Sequence, residues 1–554
     1  MKNPVERAAE RKSALWTEMS TWREHWREIS TYQMPRTGRY VASGTNKGGK
    51  KHNSIFDNTA MFGIRTLESG LMSGMTSPAR PWFRMTIRDK QLAERARVKK
   101  WLHDCAEMLR AIFSASNTYR ALHQMYGELG AFGTAASIVL PDFENVIHHY
   151  PLTIGSYALG TNYKGEVDTL VREFELTVWQ MVDEFGLENC SQTVQNLWAS
   201  EAYDKRVEVH HIIQPRRMRD ASKSDAKNMP WASCYYEKSE TGAGKWLRES
   251  GFKRFPVLAP RWAVTPDDVY GYSPGMECLG DVKQLQHQQL RKAQAIDYQT
   301  NPPIVVPSTY KEDASARLPG GVFHVDMAGP GNAVRSAFDV NLNLQHLRED
   351  MQEVRDRIRG AYYADLFLMW QHDRRANVTA TEVAEKHEEK LLMLGPVLER
   401  LHNELLSPMI DLAFDYAWEA GILPPVPPEL ADQGDIQVEF ISTLAQAQRM
   451  VAAGGADRLI NTASAMVQLW PEVRHKINAA QAIDDYADMF GVNPELVNDD
   501  EVVAERMEAE AQAAAQAQAA AAAPVAADAA KTMGDVNVRG LRDVMSMFTG
   551  YNSP

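Results

Sequence analysis

The sequence predicts a mixed α+β fold made predominantly of long α-helices. Three observations carry that reading. Apolar residues recur at three- and four-residue steps through several long stretches, which is the period of a helix with one buried face. Between residues 137 and 265 the apolar pattern changes to alternation, the period of a strand. Two further helical stretches flank an insert punctuated by five prolines, so they are expected to run antiparallel.

Composition sets the bounds. The 554 residues are 44% apolar and 24% charged, too apolar for a disordered chain and long enough for more than one domain. A formal charge of −12 excludes strong duplex binding through a uniformly basic surface. No apolar run reaches the roughly 20 residues that cross a bilayer, and the chain opens on a charged helical pattern rather than a signal peptide. Cys105, Cys190, Cys234 and Cys278 lie far apart with no CxxC, which speaks against a zinc site or a disulfide framework. A reduced, intracellular compartment is expected.

In chain order, residues 4–33 read as an amphipathic helix carrying Trp16, Met19, Trp22, Trp26 and Ile29, stopped by Pro35 and Gly38. A glycine-rich basic loop follows to Lys51. A second helix starts near Asp57 with Met61, Ile64, Leu67 and Leu71, and Pro78 and Pro81 end it. A third runs from Leu92 to Phe113. Strand alternation then appears in Val167–Leu176 and from Val207 to Ile213, with a short helix over Val178–Phe185. Met276–Thr300 is helical and rich in glutamine. Residues 301–340 contain apolar runs at Ile304–Val306 and Val322–Val325, expected to form a small α/β or hairpin-like insert.

The helix over 341–360 carries the seam Leu344, Leu347, Met351, Val354 and Ile358, a 3-4-3-4 stripe amid charge, narrow enough for one neighbour. The strongest pattern is 379–420, with a possible capping box at Thr379 and Glu382 and a leucine face from Leu391 to Leu412. It would be about 60 Å long at 1.5 Å per residue, and Pro396 and Pro408 should bend it. Residues 504–530 are Ala/Gln low complexity, expected as solvated helix or disorder.

The chemical motifs fail on inspection. Gly44–Lys50 matches the start of a phosphate-binding loop, but Lys51 stands where a hydroxyl should hold magnesium and no buried strand precedes it. The Ser239–Lys245 stretch lacks the first glycine. Gly271-Tyr-Ser273-Pro274-Gly275 has the GxSxG form of a hydrolase elbow, yet Pro274 has no N–H to give an oxyanion hole, so a Pro-Gly turn before a helix is expected. His148-His149 and His210-His211 are adjacent in strands and point to opposite faces. Acidic pairs such as Asp267-Asp268 sit in turns. No catalytic, cofactor or metal constellation emerges. Lys283, His287 and Arg291, each four apart, form a basic stripe on one helix face: either solvated and paired with acids, or facing a polyanion.

Four segments, taken in order, resemble the portal or head-to-tail connector family of short-tailed bacteriophages (podoviruses). They are Asp57–Gly63 through Ser77–Phe83; Asn117–Tyr119 through Gly130–Thr134; Tyr270–Gly275 with the glutamine-rich helix and Asn301–Pro303; and Val378–Val383 through Leu394–Pro396, Glu404–Leu406 and Leu423–Pro425. The resemblance covers about residues 1–450. It implies a closed ring of twelve copies at one capsid vertex, through which the terminase motor packages double-stranded DNA and the tail ejects it.

On this resemblance residues 1–270 and 361–435 form the wing, 271–300 and 341–360 the two stem helices, and 301–340 the clip. Leu366, Phe367, Leu368, Met369 and Trp370 fall where the family has its tunnel loop, residues 436–495 form the crown, and 496–554 a tail or barrel. Lys283, His287 and Arg291 would face the channel, and the five seam residues would pack the stem. Implied partners are further copies of the chain, the terminase large subunit, tail adaptors, the major capsid and scaffolding proteins, and the passing DNA, within a virion assembled in the host cytoplasm. A tail adaptor or internal ejection protein, and a carboxylate-metal nuclease, are the alternatives.

Overall fold

In a computed structural model, the described residues are 3–40, 49, 54–93, 95–223, 225–238, 245–307, 321–325, 335–336, 344–372, 393–430, 436–441 and 505–515, with isolated positions at 462, 466, 470, 483 and 503. By compactness the chain divides into Met1–Arg88 with Trp101–Gly454, and Asp89–Lys100 with Gly455–Pro554.

In the first unit, α1 (Pro4–Tyr32) begins at a capping box: Glu6 N–H donates to Asn3 Oδ1, and Asn3 N–H to Glu6 Oε2. Its buried face is Val5, Ala8, Leu15, Met19, Trp26 and Ile29. Helix α2 (Thr59–Met75) precedes strand β1 (Phe83–Ile87); the single turn α3 (Lys90–Ala93) and the first residues of helix α4 (Ala96–Ala115) belong to the second unit, and α4 from Trp101 to the first. Helix α5 (Thr118–Phe132) went unread in the sequence. Eleven of its fifteen residues are buried, and its exposed polar positions Arg120, His123 and Gln124 are confined to the first two turns, so the 3.6-residue period shows over too short a stretch to be read.

The central sheet is an antiparallel meander of β4 (Tyr157–Thr161), β5 (Val167–Thr177), β6 (Arg206–Pro215), β7 (Trp231–Glu237) and β8 (Arg248–Phe252). Between β5 and β6, α6 (Val178–Phe185) and α7 (Gln192–Ala199) cover one end with Val178, Met181, Phe185 and Val194 packed on Val209 and Tyr235. A second sheet joins β2 (Ala136–Asp142), β3 (Val146–Leu152) and β9 (Val257–Leu258).

The chain then enters one turn, α8 (Pro274–Glu277), and the long α9 (Leu279–Thr300). The insert is a three-stranded sheet, not a simple hairpin. Strand β10 (Ile304–Pro307) pairs in parallel with β11 (Val322–Val325) and antiparallel with β12 (Arg335–Ser336). The return is α10 (Leu344–Ala361), followed by α11 (Ala364–His372). Residues 393–401 (α12) and α13 (Ser407–Glu419) are joined by a π-helical turn over His402–Leu406. Strand β13 (Ile436–Phe440) returns to pair antiparallel with β1.

The expected long helix is thus helical from 393 to 419; its first part, including Thr379, Glu382 and Leu391, lies outside the described residues. Pro408 explains the π turn: it has no N–H for the Glu404 carbonyl, and Ser407 N–H reaches back five residues to the His402 carbonyl instead. The leucine face holds, with Leu394, Leu398, Leu401, Leu405 and Leu412 all buried.

The core is tied by polar atoms of aromatic side chains. Trp26 Nε1–H donates to the Phe132 carbonyl at 3.1 Å, and its ring meets Tyr270 edge-on at 5.0 Å. Tyr270 Oη accepts Leu159 N–H at 3.0 Å, so α1, α5 and β4 meet at one point. All four cysteines are buried free thiols. Among the described residues no helix is long and apolar enough to cross a membrane. In the second unit, residues 505–515 are helical and exposed, the first of the two forms expected for 504–530, whose other residues lie outside the described ones.

Candidate functional site

Helices α9 and α10 stand antiparallel. Arg357 Nη2 meets Asp281 Oδ1 at 3.0 Å, and Gln288 bonds Asp350. Seven residues forward on α9 therefore match seven back on α10, two turns of an in-register pair. Val282 and Leu285 are buried on α9, and Met351, Val354 and Ile358 on α10. Leu347 is half-buried, and the Leu344 side chain lies outside the described residues. Beyond Gln286 on α9, and before Met351 on α10, no described side chain is buried. The seam is closed near the body and open over the far half.

The near end is rooted by residues that sequence reasoning missed. Gln286, buried, accepts the N–H groups of Phe56 (2.6 Å) and Asp57 (2.8 Å) and donates to the Asp57 carbonyl at 2.8 Å. Asp57 Oδ2 accepts Arg355 Nη2 at 2.8 Å, while Oδ1 accepts Thr59 N–H at 2.9 Å. Burial works to raise the Asp57 pKa, but the Thr59 and Arg355 bonds outweigh it and hold the carboxyl below its usual range. Asp57 thus clasps the entrance of α2 to both long helices, its carboxylate to Arg355 of α10 and its backbone to Gln286 of α9. The glutamine richness of 276–300 was the available signal, since a buried glutamine carries both a donor and an acceptor.

Glycines let α10 and α11 dock on α2. A Cβ at Gly63 would lie 2.6 Å from the Tyr362 ring, and one at Gly70 2.3 Å from Phe367. The two glycines are two turns apart, so they share one face. Tyr362 Oη donates to Gln33 Oε1 and Gln33 Nε2 donates to the Gly275 carbonyl at 2.9 Å, which joins the end of α1 to the segments just before α9 and just after α10, the near end of the helix pair. Leu366 to Trp370, expected in a loop, are helical in α11. Leu366 is buried and Phe367 fills the Gly70 notch, while the Met369 and Trp370 side chains lie outside the described residues.

The basic stripe divides. Lys283 Nζ pairs with Glu28 Oε1 at 2.8 Å and lies over the Tyr32 ring, so it is tied to α1. His287 and Arg291 are exposed; Arg291 Nε donates to His287 Nε2 at 3.4 Å and Nη1 to Gln294 Oε1 at 3.0 Å. Among the described residues, neither pairs with a carboxylate.

The remaining motifs resolve into structure. Ser273 is buried: its Oγ accepts Met276 N–H at 3.1 Å and donates to the Ala131 carbonyl at 2.7 Å, the N-cap of α8 with Pro274 first in the helix. Gly271 is glycine because a Cβ there would lie 2.3 Å from the Gly133 carbonyl oxygen. The Gly44–Lys50 segment, Lys51 and residues 239–244 fall outside the described residues but for Gly49. His148 is exposed and His149 buried, while His210 and His211, both buried, face different partners. Among the described residues, only Glu173, Glu208 and His210 have ligand atoms grouped as a metal would need, and the Lys12 ammonium lies 2.7 Å from Glu173 and 3.2 Å from His210.

Comparison with known proteins gives a consistent result. The family model described as "Bacteriophage head to tail connecting protein" matches residues 5–497. The "Probable portal protein" of Bordetella phage BPP-1 is 50% identical over 97% of this chain and 97% of its own length. The "Portal protein" of Salmonella phage epsilon15 is 41% identical over 96% of this chain and 95% of its own. Among solved structures, a chain in the neck of an empty gene transfer agent particle covers 83% of this chain at 12% identity, with a TM-score of 0.34 on which no argument rests.

Proposed function

This chain belongs to the bacteriophage head-to-tail connecting protein family, and from that premise we propose how its paired helices serve a portal. Its function is that of a phage portal: a structural, non-catalytic component of the virion at the connector vertex, in DNA packaging and ejection. This membership replaces the adaptor and nuclease readings.

Copies of the chain close into a ring, of twelve by the family resemblance, with α9 and α10 as the stem around the channel. The observation that supports this is the half-finished seam. Leu290 and Leu347 are only half-buried and Ile296 is exposed, so the far half of the pair has no buried side chain among the described residues. A neighbouring pair would cover this half-open stretch, and repeated head-to-tail contacts of that kind close into rings when the rotation allows.

The wing would be residues 1–270 and 361–435, contacting the major capsid and scaffolding proteins, with 361–378 reaching toward the tunnel. The sheet of β10–β12 in residues 301–340 would be the clip, offered first to the terminase large subunit and then to tail adaptors. Residues 436–495 would form the crown and 496–554 the tail or barrel. A net charge of −12 per copy suits a lining that lets DNA slide, because each neutralised phosphate adds grip. His287 and Arg291 are the sparse positive rungs, with Lys283 committed to Glu28 until a neighbour or DNA competes for it.

Electron microscopy of the purified full chain tests the ring. Closed rings with a central hole wide enough for duplex DNA are expected; a monomer under all assembly conditions overturns the arrangement.

A further inference from the structure

The β5–β6 register sets Glu173 directly opposite His210, and Glu208, two residues along the same strand, shares their face. Their ligand atoms lie within 4.8 Å of one another. Above this face runs α1, whose Lys12 puts its ammonium 2.7 Å from Glu173 Oε2 and 3.2 Å from His210 Nε2; the same nitrogen lies 4.9 Å from the centroid of the Trp16 ring. Glu208 Oε1 is 2.7 Å from His210 Nε2, and Lys238 stands 3.7 Å from its other oxygen. His210 is buried against the edge of Tyr236, and its Nδ1 has no partner.

We propose that Glu173, Glu208 and His210 form a metal-type site whose cation is supplied from within, the Lys12 ammonium, so that emptying position 12 creates a transition-metal site. Two carboxylates and one imidazole are a three-ligand set with an open position, suited to zinc or cobalt. With Lys12 in place its ammonium contacts Glu173 and His210 at 2.7 and 3.2 Å and holds the ligand atoms apart; once it is removed, the two flexible glutamate side chains must draw in to reach metal bonds of about 2.0–2.2 Å. Lys12 also closes the charge: two acids on a largely buried sheet face need a cation, and α1 brings it. The helix is thereby held on the sheet whatever metals the surroundings contain.

The test uses the full chain, Lys12→Ala, the double variant Lys12→Ala with His210→Gln, and zinc or cobalt ions as probes. Wild type should carry no metal whose content depends on His210, and its Tm should not respond to zinc. Lys12→Ala should melt lower by about 2–4 °C, recover on adding zinc, and show a cobalt absorption band. The double variant should lose both the recovery and the band. The proposal is overturned if Lys12→Ala melts like wild type, if zinc does not restore it, if the double variant is restored equally, or if purified wild type holds a metal that His210→Gln removes. Should Lys12→Ala fail to fold, Lys12→Met keeps an unbranched apolar side chain of similar length without the ammonium and is read by the same criteria.

Discussion

Glu128 shows how one side chain can carry a pH dependence that nothing around it announces. It is buried on α5; one carboxyl oxygen accepts Ile154 N–H at 3.1 Å, and the other has no partner. Burial, opposed by its hydrogen bonds and by Arg39, pushes its pKa up to about 7. A carboxyl raised in the folded state holds its proton there longer than in the unfolded chain, so its contribution to stability falls as pH rises from about 4.5 to about 7. Glu128→Gln should remove that decline, gaining at most about 3 kcal/mol at pH 8 relative to pH 4 when denaturation is followed at both. Equal slopes in the two proteins would refute the assignment. A shallower slope should remain in the variant, since burial lifts Glu68 to about 7 with the same sign. None of this was legible in the sequence, where Glu128 is one acid in a run of small and apolar residues. By contrast the fate of Ser273 was legible, because Pro274 lacks the N–H that a nucleophile turn requires and is well suited to begin a helix.

At the scale of elements, the helix pair was read nearly to the residue because its seam is narrow and its other faces charged. Helix α5 was not read at all, because every residue from Met125 to Phe132 is buried and the polar stripe Arg120, His123 and Gln124 spans only the first two turns, too little for a period to show. The docking of α2 was hidden for another reason: Gly63 and Gly70 look like helix weakeners until Tyr362 and Phe367 are seen to occupy the space. Gly70→Val should cost about 1–3 kcal/mol in a melt, since Phe367 must leave its notch; an unchanged Tm would deny the contact. The open seam gives a sharper comparison. Val354 is fully buried within one chain, so Val354→Asp should destabilise the subunit itself by about 3 kcal/mol or more. Leu347 is only half-buried, so Leu347→Asp should leave the subunit's melt near wild type while reducing rings seen by electron microscopy. Normal rings from Leu347→Asp would mean that the far half of the seam meets no neighbour.

For the whole molecule, the net charge of −12 and the ordered set of weak motifs were enough to point to a portal, because a connector is defined by arrangement rather than by a reactive group. What the sequence could not show is which positive residues are free to meet DNA. Lys283, His287 and Arg291 share a face by spacing alone, but the Glu28 carboxylate lies on a helix some 250 residues earlier and takes up Lys283. Reversing Lys283 to Glu would therefore set two acids together and disturb α1 as well as any channel surface. Arg291→Glu is the cleaner probe, since its described partners are the neutral Gln294 and the His287 ring. Rings should assemble normally from it. Packaged DNA length or retention should change, because a sparse positive rung in a repelling lining becomes a further repulsive one in every copy of the ring. Particles that package and retain DNA as wild type does would put the stripe on the outside of the stem, facing a neighbour or solvent rather than the channel.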